Sequence, residues 1–287
     1  MTNEPGRRLK LPSFTDHCAV SGLNIEVSRY LLSSVSTPDV VEQAFERGIN
    51  FFLLGADLHW PKYEATRIGL QRLLQRTSLR DEVVIAAISH MHQRNAAAVA
   101  FREVLDAVPQ LGRLDMLVMG GAEERNFLPR LQEYRAYAKD EWMGAHLTGA
   151  CFDDFQTAAI AIDARTIDIA FATFYAGRPG IRPRMLPERR REQAPPLYAF
   201  GSAHSYRTAD ELRDAGLPTT KWYPTRADYL RYALTWQAFD GVVCSSISNE
   251  GLEELADAIE KGPLDDEELA YLVDLDDLVN QRAQLVE

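Results

Sequence analysis

Short apolar runs separated by amphipathic stretches recur along the chain. The runs IEVSRYLL (25–32), NFFLL (50–54), EVVIAAI (82–88), LDMLVM (114–119), WMGAHL (142–147), IDIAFATF (167–174), PLYAF (196–200) and FDGVVCS (239–245) read as strands. Their apolar positions are continuous rather than alternating, the pattern of parallel strands covered on both faces. The stretches between them carry helix signals. Thr37-Pro38-Asp39 sets a capping hydroxyl, a proline and an acid ahead of VVEQAFER, and Gly48 ends that helix. Similar spacing covers 95–108, 124–139, 153–164 and 225–236, and GPLDDEELAYLVDLDDLVNQ predicts a last, acidic helix. Eight strands alternating with helices predict one α/β domain over 1–287, a single (β/α)8 barrel of the TIM type. No repeat or linker interrupts the pattern. No GxGxxG follows the first strand, which argues against a doubly wound sheet.

Composition narrows the partners. The 287 residues are 46% hydrophobic and 25% charged, as in ordinary globular chains, with a formal net charge of -11. A surplus of acid argues against nucleic acid or an anionic membrane, since phosphate-rich partners select basic surfaces. The one dense basic run, Arg182, Arg184, Arg189, Arg190 and Arg191, reads as a solvated face. No apolar run approaches the roughly 18 residues of a membrane span, and the opening MTNEPGRRLKLPS lacks the apolar core of a signal peptide. Cys18, Cys151 and Cys244 are too few and too far apart for a disulfide framework or a CxxC metal site. These features predict a cytoplasmic protein with a small-molecule partner, and they leave the oligomeric state open.

The segments SGLNIEVSRYLL, VVEQAFERGINFF, LRDEVVIAA, LDMLVM and GVVCSSISNEGLEELADAIEKGPLDDEEL follow one another in a familiar order and spacing. Over about residues 20 to 275 the chain resembles the aldo-keto reductases, and the segment TRADYLRYALTWQAFDGVVCSS, with GPLDDEEL after it, is similar to a divergent branch of them. The resemblance implies a (β/α)8 barrel, an N-terminal segment carrying His17 that plugs the barrel bottom, and a C-terminal helical tail. It also implies carbonyl reduction, usually with NADPH, through a tyrosine acid supported by a lysine, an aspartate and a histidine. This sequence departs from that tetrad. The aspartate position holds Leu53, the lysine position Ile88 and the histidine position Gly120. The tyrosine falls on Leu58. Alternatively, one inserted residue at Gly55 moves it to His59 and aligns Asp57 with a further aspartate of the motif. Apolar side chains cannot carry a proton to a developing alkoxide, so the usual machinery is missing unless His59 replaces the acid.

The resemblance places the adenosine end of a dinucleotide at Ser245, Ser246, Ser248 and Asn249, and an aromatic partner for the nicotinamide at Tyr175. Amides at a helix start can hold phosphate. Glu250 would repel a 2′-phosphate, and no Lys or Arg lies between Arg231 and Lys261, so NAD(H) is favoured over NADP(H). The plainer reading makes Ser248 or Asn249 a helix cap and Tyr175 a packing residue.

Of the six histidines, His59, His90, His92, His146 and His204 fall at or just beyond predicted strand ends, the face on which barrel sites are built. Asp57, Glu123, Glu124, Cys151 and Asp153 belong to the same predicted face. His90-Met91-His92 would point two imidazoles the same way if extended. His90, His92, His146 and His204 form a candidate transition-metal set, while His59, Asp57, His90, His92 and His146 form a candidate catalytic set. Three function classes stay open: a divergent oxidoreductase acting on a small molecule, a metal- or histidine-dependent hydrolase or lyase, and a non-catalytic binding or scaffold protein.

Overall fold

A computed structural model describes residues 6–57, 60–93, 95–140, 143–177 and 194–286. Two short strands, β1 (His17–Cys18) and β2 (Val27–Ser28), pair antiparallel ahead of the barrel. Eight parallel strands then close on themselves: β3 (Tyr30–Leu32), β4 (Phe51–Gly55), β5 (Val84–Ser89), β6 (Met116–Ala122), β7 (Leu147–Phe152), β8 (Ile169–Thr173), β9 (Leu197–Phe200) and β10 (Gly241–Cys244). The barrel closes between β10 and β3, where Val242 pairs with Tyr30. The first five crossovers carry α1 (Asp39–Glu46), α2 (Glu64–Leu73), α3 (Ala96–Ala107), α4 (Glu124–Ala138) and α5 (Phe155–Asp163). Between β9 and β10 lie α6 (Ala209–Asp214) and α7 (Arg226–Leu234), and α8 (Asn249–Lys261) and α9 (Asp266–Val286) end the chain. Among the described residues no helix is long and apolar enough to cross a membrane. The basic run at 182–191 lies outside the described residues.

Period-two alternation explains the continuous apolar runs. On β4, Phe51 and Leu53 join the core inside the barrel, while Phe52 and Leu54 join the core between strands and helices. On β5, Ala86 and Ile88 face inward and Ile85 and Ala87 outward. Both faces are dry, so both select apolar residues. Leu53 and Ile88 therefore stand inside the barrel, buried among aliphatic neighbours. At the opposite end, Val27 joins the inner core, and the Tyr198 hydroxyl donates to the Ser28 carbonyl at 2.7 Å, tying the hairpin to the strand bottoms.

Two strand expectations need correction. The first predicted strand divides into β2 and β3, because Ser28 turns its hydroxyl onto the Tyr30 carbonyl at 2.8 Å. The fifth was expected over WMGAHL, yet β7 begins only at Leu147. Gly144 takes a left-handed φ of 63°, and a Cβ there would meet Arg113 Cβ at 2.6 Å, so the chain turns where an extended strand was expected. Met143 and Ala145 bury themselves against the helical layer, which is why the run looks strand-like.

Candidate active site at the C-terminal end of the barrel

Beyond Gly55, Asp57 meets the end of β5, and a 3-10 turn, Trp60–Tyr63, leads into α2. That turn lays the Tyr63 ring on the end of β4. A Cβ at Gly55 would stand 2.5 Å from Tyr63 Cε2, so only a bare backbone admits the ring. Ser33, just past β3, donates its hydroxyl to the Tyr63 oxygen at 3.3 Å. Tyr63 is 6% exposed, and burial pushes its phenol above the ordinary tyrosine value. The Ser33 hydrogen bond opposes that rise, while the charge of Asp57 adds to it. Tyr63 thus presents a protonated phenol close to an acid and to a buried thiol. The sequence does not single it out, since the family resemblance directs the acid to positions 58 and 59. Its only sequence signal was an aromatic residue at the start of the α2 pattern.

Asp57 bridges two strand ends. Its Oδ2 accepts from the Ser89 hydroxyl at 2.8 Å and from the His90 main-chain N–H at 2.5 Å. Its Oδ1 is buried with no hydrogen-bond partner among the described residues. Ser89 also accepts from the Met91 N–H at 3.2 Å, so the start of the β5–α3 loop is folded around one carboxylate. From below, the buried Arg130 of α4 donates to the Met91 and Gly121 carbonyls at 3.2 and 3.1 Å, joining the loops after β5 and β6. This places the half-buried His90 ring on Gly120, whose absent side chain would collide with it. The position expected to have lost a histidine is covered by an imidazole from the neighbouring strand.

The remaining histidines do not gather there. His146 was expected past a strand end, but it is exposed at the entry to β7, on the N-terminal face, where its N–H reaches Asp115 O at 3.4 Å. The late start of β7 is the reason. His92 is exposed, and the 90–92 segment is irregular, so the alternation that would align two imidazoles does not apply. His204 is exposed in the turn after β9, its ring 5.0 Å from that of Tyr175. Tyr175 is therefore at the expected face, paired with His204. His59 and Leu58 lie outside the described residues. Among the described residues no group of three or more His, Cys, Asp or Glu side chains could hold a metal ion, so the expected set of His90, His92, His146 and His204 does not converge.

At the β10–β3 seam, Ser246 takes a left-handed φ of 56° and its N–H donates to the Ser34 hydroxyl at 2.9 Å. Ser248 caps α8, accepting from the Gly251 N–H at 3.0 Å. Asn249 donates to Asp39 Oδ2 at 2.7 Å, which leaves its own Oδ1 buried with no partner among the described residues. The hydrogen bond from Asn249 holds Asp39 below the ordinary carboxylate range, and the main-chain N–H at the helix start does the same for Glu250. The start of α8 thus exposes the carboxylates of Asp39 and Glu250. Of the other acids expected at this face, Glu123 caps α4 in a reciprocal pair with Asn126, and Asp153 accepts from the Thr173 hydroxyl at 3.1 Å.

A closed eight-stranded parallel barrel with its polar side chains at the strand C-termini is the architecture of the aldo-keto reductases. The chain shares its fold with an aldo-keto reductase of Bacillus halodurans in its holo form, at a TM-score of 0.62 and 15% identity over 91% of this chain and 96% of that one. An aldo-keto reductase of Klebsiella pneumoniae in complex with NADPH aligns at a TM-score of 0.61 and 17% identity, covering 91% and 95% of the two chains. A thermostable aldo-keto reductase in complex with the inhibitor epalrestat aligns at 0.61 and 12% identity, covering 91% and 99%. No family model and no curated protein matches the sequence.

Proposed function

We propose that the protein is an NADH-dependent oxidoreductase that reduces a small carbonyl compound at the C-terminal end of the barrel, with Tyr63 as the proton donor. The observation that carries this reading is the buried phenol seated on Gly55, held by Ser33 and raised in pKa by burial and by Asp57. A phenol kept protonated beside a strand end can hand its proton to a carbonyl oxygen as negative charge develops there. Leu53 and Ile88 make the inside of the barrel apolar near the strand ends. NADH supplies the hydride when bound. This chain's part is to orient the carbonyl, exclude water and deliver the proton. The exposed carboxylates of Asp39 and Glu250 supply the acceptors for the adenosine end, which supports NAD(H) over NADP(H). The neighbour from Klebsiella pneumoniae was solved in complex with NADPH, which supports a nicotinamide dinucleotide as the hydride source.

The test is NADH consumption over a panel of aldehydes and ketones, in the wild type and in Tyr63→Phe. Loss of turnover by about 10²- to 10⁴-fold with NADH binding retained supports the assignment. Undiminished turnover in the variant removes Tyr63 from the chemistry.

A further inference from the structure

We infer that Ser34 and Thr66 are positioning residues for Tyr63, and that Ser34 ties this phenol to the start of α8, so that an adenosine end seated there sets the proton donor. The inference rests on the reductase reading and adds to it a link between the two ends of the site.

In the closed barrel β3 lies between β10 and β4, and the loop that follows it is fastened to both neighbours. On the β4 side, the Ser33 hydroxyl donates to the Tyr63 oxygen at 3.3 Å. Thr66, in the first turn of α2, donates its hydroxyl to the Ser33 carbonyl at 2.8 Å and accepts from the Val35 N–H at 3.2 Å. On the β10 side, the Ser34 hydroxyl accepts from the Ser246 N–H at 2.9 Å, and the Ser34 carbonyl accepts from the Ile247 N–H at 3.2 Å. The Ser36 N–H returns to the Ile247 carbonyl at 2.8 Å, and Asn249 donates to Asp39 at 2.7 Å. Ser33, Ser34 and Thr66 are all buried.

Most buried side-chain hydroxyls serve the main chain, yet Ser33 turns its own onto another side chain. The hydrogen it donates fills a lone pair of the Tyr63 oxygen, so the phenol directs its own hydrogen elsewhere. That direction is as fixed as Ser33 is. The Cys244 carbonyl holds the Ser33 N–H at 2.8 Å and Thr66 holds its carbonyl, so Ser33 has little freedom to turn. Ser34 continues the chain of fixed groups to Ser246, whose φ of 56° is one that L side chains rarely adopt. Such a conformation persists where its surroundings over-determine it, and the Ser34 hydroxyl is one of those restraints. Relaxation of Ser246 is the two-state step that coupling between distant groups needs. A ligand that binds Asp39 and Glu250 acts on the same short segment, and Ser34 passes the change to Ser33 and the phenol.

Fluorine NMR of the full chain carrying fluorotyrosine tests this, with the Tyr63 resonance identified by its absence in Tyr63→Phe. Ser33→Ala should move that resonance. Ser34→Ala and Thr66→Val, which remove no hydrogen bond to the phenol itself, should move it in the same direction. Ser28→Ala, a buried serine at the opposite end of the barrel, should leave it in place. ADP-ribose, which carries the adenosine end without the nicotinamide, should move the resonance at saturation in the wild type and not in Ser34→Ala. Its affinity should fall by at least about 5-fold in that variant, the low end for coupled sites. A Tyr63 resonance unmoved in both Ser34→Ala and Thr66→Val overturns the positioning role. ADP-ribose that binds the wild type without moving Tyr63 overturns the link to α8. If ADP-ribose does not bind but both variants still move Tyr63, the reductase reading loses its cofactor site and the positioning role stands. Should Ser34→Ala fail to fold, Thr66→Val, which keeps the native shape, decides the positioning role.

Discussion

The His90 imidazole lies flat against Gly120: a Cβ at position 120 would stand 2.5 Å from Nδ1 and 2.7 Å from Cγ. The end of β6 contributes bare backbone, and the loop after β5 contributes the ring that covers it. The two positions are therefore coupled.

Gly120→Ala should destabilise the protein by about 1–3 kcal/mol, the range for overpacking a filled site. The double variant Gly120→Ala/His90→Ala should recover most of that loss, because the added methyl then replaces a ring instead of striking it. Urea unfolding of the three variants and the wild type measures the coupling. Additive losses would mean that the ring does not rest on Gly120.

Tyr63 sets the alkaline behaviour. Burial favours its neutral form, so its folded pKa lies above the ordinary 10.0. The stabilisation associated with that shift is fully present below pH 10 and is lost as pH rises through the folded value. Activity that needs the protonated phenol should accordingly hold up to about pH 10, with no falling limb near neutrality from this group. A kcat/KM profile that declines between pH 7 and 9 and is unchanged in Tyr63→Phe would assign the proton to another residue.

Calorimetry should show NADH binding more tightly than NADPH. Asp39 and Glu250 at the start of α8 are both held below the ordinary carboxylate range, so both face an incoming 2′-phosphate as anions. Replacing Glu250 by lysine and Asp39 by asparagine should narrow the difference or reverse it. Tighter NADPH binding by the wild type would place the adenosine end elsewhere.

Arg130 is 6% exposed and joins the loops after β5 and β6 through the Met91 and Gly121 carbonyls. Arg130→Met keeps the stem and removes both donors. It should destabilise the protein by about 1–3 kcal/mol, the range for stranding buried acceptors. Amide exchange of the loop that carries His90 should quicken with it. Unaltered exchange would show that Asp57 alone holds the loop.

The apolar pattern of the chain is enough to specify the barrel. Continuous apolar runs such as NFFLL and VVIAAI need dry surroundings on both faces, and eight of them separated by amphipathic stretches have few other solutions than a closed parallel sheet. The sequence also showed that Leu53 and Ile88 carry no titratable group, and both prove to be core inside the barrel. Its errors arose where an apolar run was not a strand. A left-handed Gly144 turns the chain ahead of β7 and leaves His146 on the opposite face, with no periodicity to reveal it. The make-up of the candidate site follows from contacts that exist only in the folded chain. Asp57 reaching Ser89 and His90 over Gly120 are contacts between the ends of different strands, and Tyr63 over Gly55 folds the loop after β4 back onto that strand. Such contacts depend on barrel closure and on the register that sets Gly55 beside Ile88 and Ile88 beside Val118. Hydrophobic periodicity records which face of a strand is dry. It carries no information on which neighbouring loop lends a side chain to a place that a glycine leaves empty.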